Sequence, residues 1–284
     1  MQQNNTQKDF ESQVRTFLSD IQFSEESQEF SALDLHERNE PIHWIVPNVI
    51  SEGLCVICGR PKVGKSILTL DLMLCCADGG KWMGRYPVEY GHCLYVSIED
   101  GPTRIGQRLR TLSGDKPPSD RLTLRFTSRI GLFGLMDIHQ WLLSHPGTIM
   151  VVVDTFSGLK PPYKNSADIY GEDHRFMSIM RQLGVFHHIA LIAVHHTTKA
   201  KQDTIFDSMI GTTGISGPVD VGLQMYEENK TKYIRGSGKD YIEDIEHRLV
   251  FDAGWKIVMN VSPEQQRVLS LLKNGELHYK DIAK

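Results

Sequence analysis

The sequence predicts an α/β protein with a mostly parallel, twisted sheet and an antiparallel extension. Apolar, strand-like runs alternate with helical stretches from His43 to about Asn260. This alternation is typical of a parallel sheet flanked by helices. Residues 221–252 contain short strand-like runs joined by turns, which predict the antiparallel extension. The chain of 284 residues is long enough for one large domain with small appendages.

Three parts are predicted along the chain. Residues 1–40 are polar with one weak helical period and predict a helix on a tether, whereas residues 41–260 form the α/β domain. Residues 261–284 begin a helical segment, in which Ser262 is a suitable N-cap and Pro263 occupies the first helical position. This segment resembles the start of a winged-helix or helix-turn-helix module, truncated before its recognition helix. The alternative is a C-terminal helix that packs on the core.

Composition and charge restrict the classes of function. The chain is 40% hydrophobic and 23% charged, and none of its apolar runs approaches the roughly 18 residues of a membrane span. Its polar start, MQQNNTQKDFESQ, is unlike a signal peptide. We therefore expect a cytoplasmic protein without membrane association. Because the formal net charge is only −4, a nucleic acid would need a local basic surface for binding.

The five cysteines lie between Cys55 and Cys93. Cys55 and Cys58 have the C-x-x-C spacing of some zinc and redox sites. However, residues three apart on a strand face opposite sides, and no second pair follows. Buried thiols in a reducing compartment are the favoured interpretation.

The stretch GRPKVGKS, from Gly59 to Ser66, lies between a strand-like run and a helical stretch. Its spacing, G-x-x-x-x-G-K-S, is that of the phosphate-binding loop. The two glycines let backbone N–H groups surround a triphosphate, while Lys65 reaches the outer phosphates and Ser66 ligates Mg²⁺. The residues expected to contact the nucleotide are Gly59, Arg60, Pro61, Lys62, Val63, Gly64, Lys65, Ser66, Ile67 and Asp154.

Two acidic residues are candidates for the chemistry at the phosphates. Asp154 ends the apolar run IMVVVD and has the Walker B pattern, which predicts a Mg²⁺ ligand on the strand beside the loop. Glu99 ends the strand that follows the loop's helix, so it emerges at the same carboxyl edge and can polarise the attacking water. The alternative is that Glu99 is a solvated loop acid, in which case Asp100 is the next candidate base.

The next strand ends in VHHTTK. Because adjacent residues on a strand face opposite sides, at most one of His195 and His196 points to the nucleotide edge. That histidine could sense the γ-phosphate or the water and transmit its loss to the following loop. A histidine with its hydrogen bonds satisfied inside the sheet is the alternative.

Taken together, GRPKVGKS, VSIED, VVVDT, AVHHTTK and GTTGISGPVD are similar to the RecA-like P-loop ATPases of the plasmid RepA helicase type. The resemblance spans roughly residues 47–251. It implies the following roles: phosphate and Mg²⁺ binding by Lys65 and Ser66, catalysis by Glu99, metal binding by Asp154, and sensing by His196. It also implies hexameric rings that move along single-stranded DNA.

The sequence departs from that family at the arginine finger, the cation that stabilises the transition state from a neighbouring subunit. The segment GTTGISGPVDVGLQM, where such an arginine is expected, contains none. Arg235 and Lys239 in YIRGSGKDY are the candidate catalytic cations. Basic residues that only solvate a hairpin are the alternative for either one.

Other nucleotide-binding classes fit less well. A GTPase would carry Asn-Lys-x-Asp, and the nearest string, residues 229–232, lacks the Asp. The Leu-Ser-Gly-Gly-Gln signature of ABC ATPases and the arginine-rich lid of small-molecule kinases are not recognisable. ATP and Mg²⁺ are therefore the expected cofactors.

Two loops after strand ends combine cations for phosphate with aromatic residues for base stacking, although solvated loop lysines are an alternative. The predicted nucleic-acid contacts are Lys160, Tyr163, Lys164, Lys199 and Lys201. The preferred hypothesis is an ATP-dependent ring motor, a replicative DNA helicase of a plasmid, phage or other mobile element. Its expected partners are single-stranded DNA, further copies of the chain, and a replication initiator or primase. The alternative is a nucleotide-switched regulatory or assembly ATPase that binds DNA or a partner without unwinding.

Overall fold

The computed structural model describes residues 2–21, 29–162, 169–197, 216–241 and 244–258, of which residues 2–11 and 169–170 are described by their backbone only. The helical segment predicted at 261–284 lies outside the described residues.

Helices precede the first strand of the described chain and connect many of the later strands. They are α1 (Gln2–Ile21), α2 (Ala32–Arg38), α3 (Lys65–Asp78), α4 (Pro102–Ser113), α5 (Leu132–Ser144), α6 (Phe156–Leu159) and α7 (Ile169–Phe186). Two short antiparallel pairs are β1 (Trp44–Val46) with β2 (Ile50–Ser51) and β4 (Lys81–Trp82) with β5 (Tyr86–Pro87). The strands of the main sheet are β3 (Gly53–Gly59), β6 (His92–Ser97), β7 (Leu122–Arg125), β8 (Thr148–Asp154), β9 (Ala190–His196), β10 (Val221–Glu228), β11 (Thr231–Gly238), β12 (Ile245–Phe251) and β13 (Trp255–Ile257).

Among the described residues, these nine strands form one sheet in the order β13-β12-β11-β10-β3-β9-β8-β6-β7. The pairings from β10 to β7 are parallel, and those from β10 to β13 are antiparallel. The predicted α/β fold and its antiparallel extension are therefore confirmed. The prediction that Asp154 lies on the strand beside the phosphate loop is wrong, because β9 separates β8 from β3. The chain crosses back after β8 and inserts β9 between them.

The central strands are apolar and β-branched because helices cover both faces of the parallel part of the sheet. Every residue of β3 and β8 is buried. Cys55 belongs to the hydrophobic cluster on one face and Cys58 to the cluster on the other, as predicted for residues three apart. Burial raises the pKa of the Cys58 thiol to about 12, so this sulfur is an inert part of the core.

The predicted N-terminal helix is present as α1, and part of it packs on the α/β domain. Phe17 and Ile21 are buried in the same cluster as the apolar faces of α5 and α7. The Phe17 ring also contacts His139 edge-on, with ring centroids 5.4 Å apart. The last turn of α1 therefore packs on the α/β domain, while the boundary at residue 40 stays a prediction.

A cluster of charged side chains lies at the amino-terminal edge of the central strands. Asp220 accepts the backbone N–H of Leu54 at 3.0 Å and the side chains of Arg181 at 2.9 Å and Lys239 at 3.1 Å. We call Arg181, Asp220 and Lys239 the Asp220 cluster. It lies at the end of the sheet opposite the phosphate loop, because Leu54 is near the start of β3 and the loop follows its end.

The described part of the chain contains no helix long and apolar enough to span a bilayer.

The close approach of α7 to β3 at Gly184 gives a test of the fold. A Cβ at this position would lie 2.5 Å from the carbonyl oxygen of Gly53, which is backbone and cannot move aside easily. Gly184→Ala should therefore lower the free energy of unfolding by about 1–3 kcal/mol, measured by urea denaturation. Gly106→Ala in α4 is the matched control, because its nearest neighbour is a flexible arginine atom at 3.7 Å. Equal stabilities for the two variants would contradict this packing.

Candidate nucleotide-binding site

The phosphate loop connects the end of β3 to the start of α3 and requires its glycines for two reasons. Gly59 and Gly64 have φ values of 155° and 118°, which residues with a side chain rarely adopt. The surroundings also leave no space for a Cβ, which at Gly64 would lie 2.7 Å from the indole of Trp255. Trp255 on β13 therefore packs directly against the loop and fixes its position.

The Lys65 ammonium is buried at the centre of the site, with 4% of the residue exposed. Its Nζ donates to the carbonyl oxygens of Gly59 at 2.9 Å and Arg60 at 3.0 Å, and lies 2.9 Å from Nδ1 of His196. Burial lowers the pKa of Lys65 to about 8, although the negative charge of Asp154 and smaller contributions oppose the shift. Backbone carbonyls thus position the amine, and its pKa lies within about one unit of neutral pH.

The position of Lys65 determines the tautomer of His196. An ammonium has only donors, so Nδ1 of His196 must accept and the ring proton must reside on Nε2. This Nε2 faces Oε2 of Glu99 at 3.4 Å, the outer limit of a hydrogen bond. The neighbouring His195 turns to the other face and meets the Phe156 ring edge-on, and burial lowers its pKa to about 4. Only His196 of the pair reaches the nucleotide edge.

Asp154 ends β8 beside this group and is 5% exposed. Its Oδ2 accepts the hydroxyl of Tyr95 at 2.6 Å. Burial, followed by the charge of Asp154, raises the pKa of Tyr95 well above its usual value, so the phenol stays a hydrogen-bond donor. A carboxylate held in this way, together with the Ser66 hydroxyl in the first turn of α3, provides oxygen ligands that suit Mg²⁺.

Glu99 lies two residues beyond the end of β6, in the loop that leads to α4. Its side chain is 51% exposed, and its Oε1 accepts the hydroxyl of Thr155 at 2.7 Å. Asp100, the other candidate base, is paired with Arg104 and with Arg108. Partial burial opposes the shift, but the hydrogen bonds from these arginines lower the pKa of Asp100. Glu99 is therefore the carboxylate that the structure directs toward the site.

A cavity of ≈ 350 Å³ adjoins the phosphate loop on the side of β10. Thr197, the residue after His196, donates its N–H to Gly59 at 3.1 Å. Its buried hydroxyl has no hydrogen-bond partner among the described residues. The cavity is lined by Arg60, Pro61, Lys62, Val63, Thr197, Gln224, Met225, Tyr226, Glu227 and Lys232.

The two candidate finger residues differ sharply in position. Arg235 is 8% exposed, and its Nε donates to Oε1 of Gln224 at 2.7 Å inside the β10–β11 pair. Lys239 is a member of the Asp220 cluster at the opposite edge of the sheet, with 47% of its side chain exposed. Arg235 thus contacts Gln224 and also lies 5.9 Å from the centre of the Tyr226 ring, and both of these residues line the cavity beside the phosphate loop, whereas Lys239 lies at the other end of the sheet.

Of the predicted nucleic-acid contacts, only Lys160 can be placed. Its Nζ lies 3.7 Å from Oδ1 of the buried Asp173, directly after α6. This pairing ties the lysine to α7 and reduces its availability for an external phosphate. The other predicted contacts, Tyr163, Lys164, Lys199 and Lys201, lie outside the described residues.

Sequence reasoning missed three residues that build this site: Tyr95, Thr155 and Trp255. A tyrosine inside the apolar run of β6 was a usable signal, because a buried phenol needs a polar partner. Thr155 follows Asp154 directly, but only the sheet register brings it near Glu99. Trp255 is distant in sequence and contacts the loop through the antiparallel extension, so no local pattern could reveal it.

A phosphate loop at the end of a central parallel strand, with a buried lysine and one carboxylate at or just beyond the end of each of two other strands, defines a P-loop nucleotide-binding protein. Residues 23–202 match the family model described as "AAA domain", and the chain belongs to this family. A solved structure of an ATPase domain superposes with a TM-score of 0.60 at 12% sequence identity, over 80% of this chain and 95% of that chain. The fold is thus that of a RecA-like P-loop ATPase. No curated protein matches the sequence significantly.

The lowered pKa of Lys65 predicts that nucleotide affinity depends on pH. The phosphates favour the ammonium form, so above a pKa of about 8 the unliganded protein must take up a proton before it binds. The dissociation constant for ATP should therefore rise about tenfold between pH 7 and pH 9. Calorimetric titrations in buffers of different ionisation enthalpy should show this proton uptake.

Lys62→Asn serves as the control for this titration, because Lys62 is an exposed lysine of the same loop and asparagine tolerates its φ of 64°. This variant should keep the pH dependence. An affinity that is constant from pH 7 to pH 9 in the unmodified protein would contradict the role of Lys65.

Proposed function

We propose that this protein is an ATP-driven motor that assembles into a ring and moves along single-stranded DNA as a replicative helicase. The observation that carries the proposal is the convergence of Lys65, His196, Glu99 and Asp154 at the carboxyl ends of four parallel strands or just beyond them. Such an arrangement combines phosphate binding, a base for water and a residue that can respond to the terminal phosphate.

Within this site each side chain has a separate task in hydrolysis. Lys65 exchanges His196 and its carbonyl partners for the outer phosphate oxygens and neutralises their charge. Glu99 accepts a proton from the water that attacks the terminal phosphorus, and the bond from phosphorus to the bridging oxygen breaks. Ser66 and Asp154 would hold Mg²⁺, which supplies charge neutralisation at the phosphates.

His196 connects hydrolysis to the next loop. Its Nδ1 accepts from Lys65, so a nucleotide that attracts Lys65 leaves His196 to find another partner. His196 is the last residue of β9, and the segment that follows contains Lys199 and Lys201. Movement of His196 with the state of the phosphate would therefore be passed to the predicted DNA contacts.

A transition-state cation from a neighbouring subunit is part of the proposal, and we assign this role to Lys239. Arg235 is buried and donates to Gln224, whereas Lys239, although paired with Asp220 at 3.1 Å, is half exposed at the edge opposite its own phosphate loop. A cation in that position can serve a phosphate loop only across a subunit boundary. A head-to-tail ring would bring the two edges together.

Single-stranded DNA should raise the steady-state ATPase rate severalfold, because a translocating motor engages its strand in each cycle. The measurement compares the full chain with no DNA, with an oligo-dT strand and with duplex DNA of the same length. Lys65→Ala, which removes phosphate binding, and Glu99→Gln, which should bind ATP but lose on the order of 10²–10⁴ in turnover, are the controls. Equal ATPase rates without DNA, with oligo-dT and with duplex DNA would favour the nucleotide-switched regulatory ATPase.

Lys239→Ala should bind ATP normally but lose on the order of 10²-fold in turnover, because a missing finger leaves transition-state charge uncompensated. Arg181→Ala is a matched control, since it also removes one partner of Asp220 but is not assigned to the neighbouring site. Mixing Lys239→Ala with Lys65→Ala should restore activity, because some interfaces then pair an intact loop with an intact lysine. Equal losses in the two Asp220-cluster variants, without recovery on mixing, would show that Lys239 acts only within the cluster.

A further inference from the structure

Thr155 holds an unusual position for a threonine at the start of a helix. It is the N-cap of α6, with an extended backbone (φ −117°, ψ 162°), and its side chain caps none of the helix N–H groups. An N-cap threonine ordinarily accepts a hydrogen bond from one of these groups. Here the hydroxyl is used elsewhere: Oγ1 lies 2.7 Å from Oε1 of Glu99 and 2.9 Å from Oγ of Ser157.

The direction of these hydrogen bonds follows from the groups involved. An ionised carboxylate only accepts, so the Thr155 hydroxyl donates its single proton to Glu99. The Ser157 hydroxyl must then donate to Thr155. The result is a short chain of donors that ends on one oxygen of Glu99, while the other oxygen faces His196 at 3.4 Å.

Thr155 is a rigid anchor for this contact, whereas Glu99 is not rigid by itself. Thr155 is 1% exposed and follows β8 directly. The backbone of the neighbouring loop is fixed to it, because Ile98 donates its N–H to the carbonyl oxygen of Asp154 at 2.7 Å. Helix α6 also approaches closely at Gly158, where a Cβ would lie 2.5 Å from the side chain of Ile98.

We propose that Thr155 is a positioning residue for the catalytic carboxylate. Its hydroxyl holds one oxygen of Glu99 and thereby directs the other toward the attacking water. The proposal rests on the assignment of Glu99 as the base. Without the hydroxyl, the half-exposed Glu99 side chain would distribute among several rotamers, and few of them would place the carboxylate for proton transfer.

Thr155→Val tests this role, since it removes the hydroxyl and keeps the shape. We expect kcat for ATP hydrolysis to fall on the order of ten- to hundredfold, the range of a hydrogen bond to a charged group. The dissociation constant for ATP should not change, because Thr155 is not among the residues that hold the phosphates. Thr155→Ser should restore most of the rate. Thr148→Val, at the opposite end of β8, is the matched control; its hydroxyl donates to the His145 carbonyl at 2.7 Å.

A second comparison separates positioning from a structural role. In a Glu99→Gln background, Thr155→Val should lower the residual rate no further, because there is no base left to position. An additional loss in that background, or a weaker affinity for ATP, would assign Thr155 to the structure of the site instead. An unchanged kcat in Thr155→Val would also overturn the proposal.

The Glu99→Gln and Thr155→Val variants together tell whether the proposed hydrolysis mechanism or the positioning role has failed. If Glu99→Gln hydrolyses ATP at the normal rate, Glu99 is not the base and the proposed hydrolysis mechanism fails. If Glu99→Gln is inactive but Thr155→Val is unaffected, the base is correct and only the positioning role is refuted.

Discussion

The burial of the Lys65 ammonium is the constraint on which the site depends. A cation with 4% exposure is tolerated only where its protons find acceptors. The carbonyl oxygens of Gly59 and Arg60 provide two, and Nδ1 of His196 provides the third. These acceptors fix the loop conformation, determine the tautomer of His196 and direct its other nitrogen to Glu99. A triphosphate can replace these neutral acceptors with charged oxygens, which stabilise the ammonium form more strongly.

The topology of the sheet explains how side chains from distant parts of the chain meet around this lysine. Strand β9 lies between β3 and β8, so His196 stands between the phosphate loop and Asp154. Strand β6 adds Tyr95 beneath Asp154 and, just beyond its end, Glu99. On the other side of β3, the antiparallel extension brings Trp255 against Gly64. The parallel strands that end at one edge thus position the polar side chains of the site, and the antiparallel extension packs against the phosphate loop.

Local patterns in the sequence were sufficient for the fold class and for the groups that touch phosphate. The loop spacing, the apolar runs that end in Asp154 and His196, and the turn-rich stretch after residue 220 are all local signals. Local patterns do not give the order of strands in the sheet. The sequence therefore predicts Asp154 on the strand next to the phosphate loop's strand, whereas β9 lies between β3 and β8. The different positions of Arg235 and Lys239 also required the structure, because the register of β11 against β10 places Arg235 opposite Gln224 and leaves Lys239 just beyond the end of β11, beside Asp220. Thr155 illustrates the same limit, since its partner Glu99 lies in the loop after another strand, β6.

The central claim is that Lys65 exchanges His196 for the outer phosphates when nucleotide binds. A crystal structure with Mg²⁺ and a non-hydrolysable ATP analogue measures this most directly. We expect Nζ of Lys65 within hydrogen-bond distance of the outer phosphate oxygens and no longer bonded to Nδ1 of His196, with Glu99 facing the terminal phosphate. A structure in which the nucleotide is bound but Lys65 keeps its contact with His196 would contradict the account.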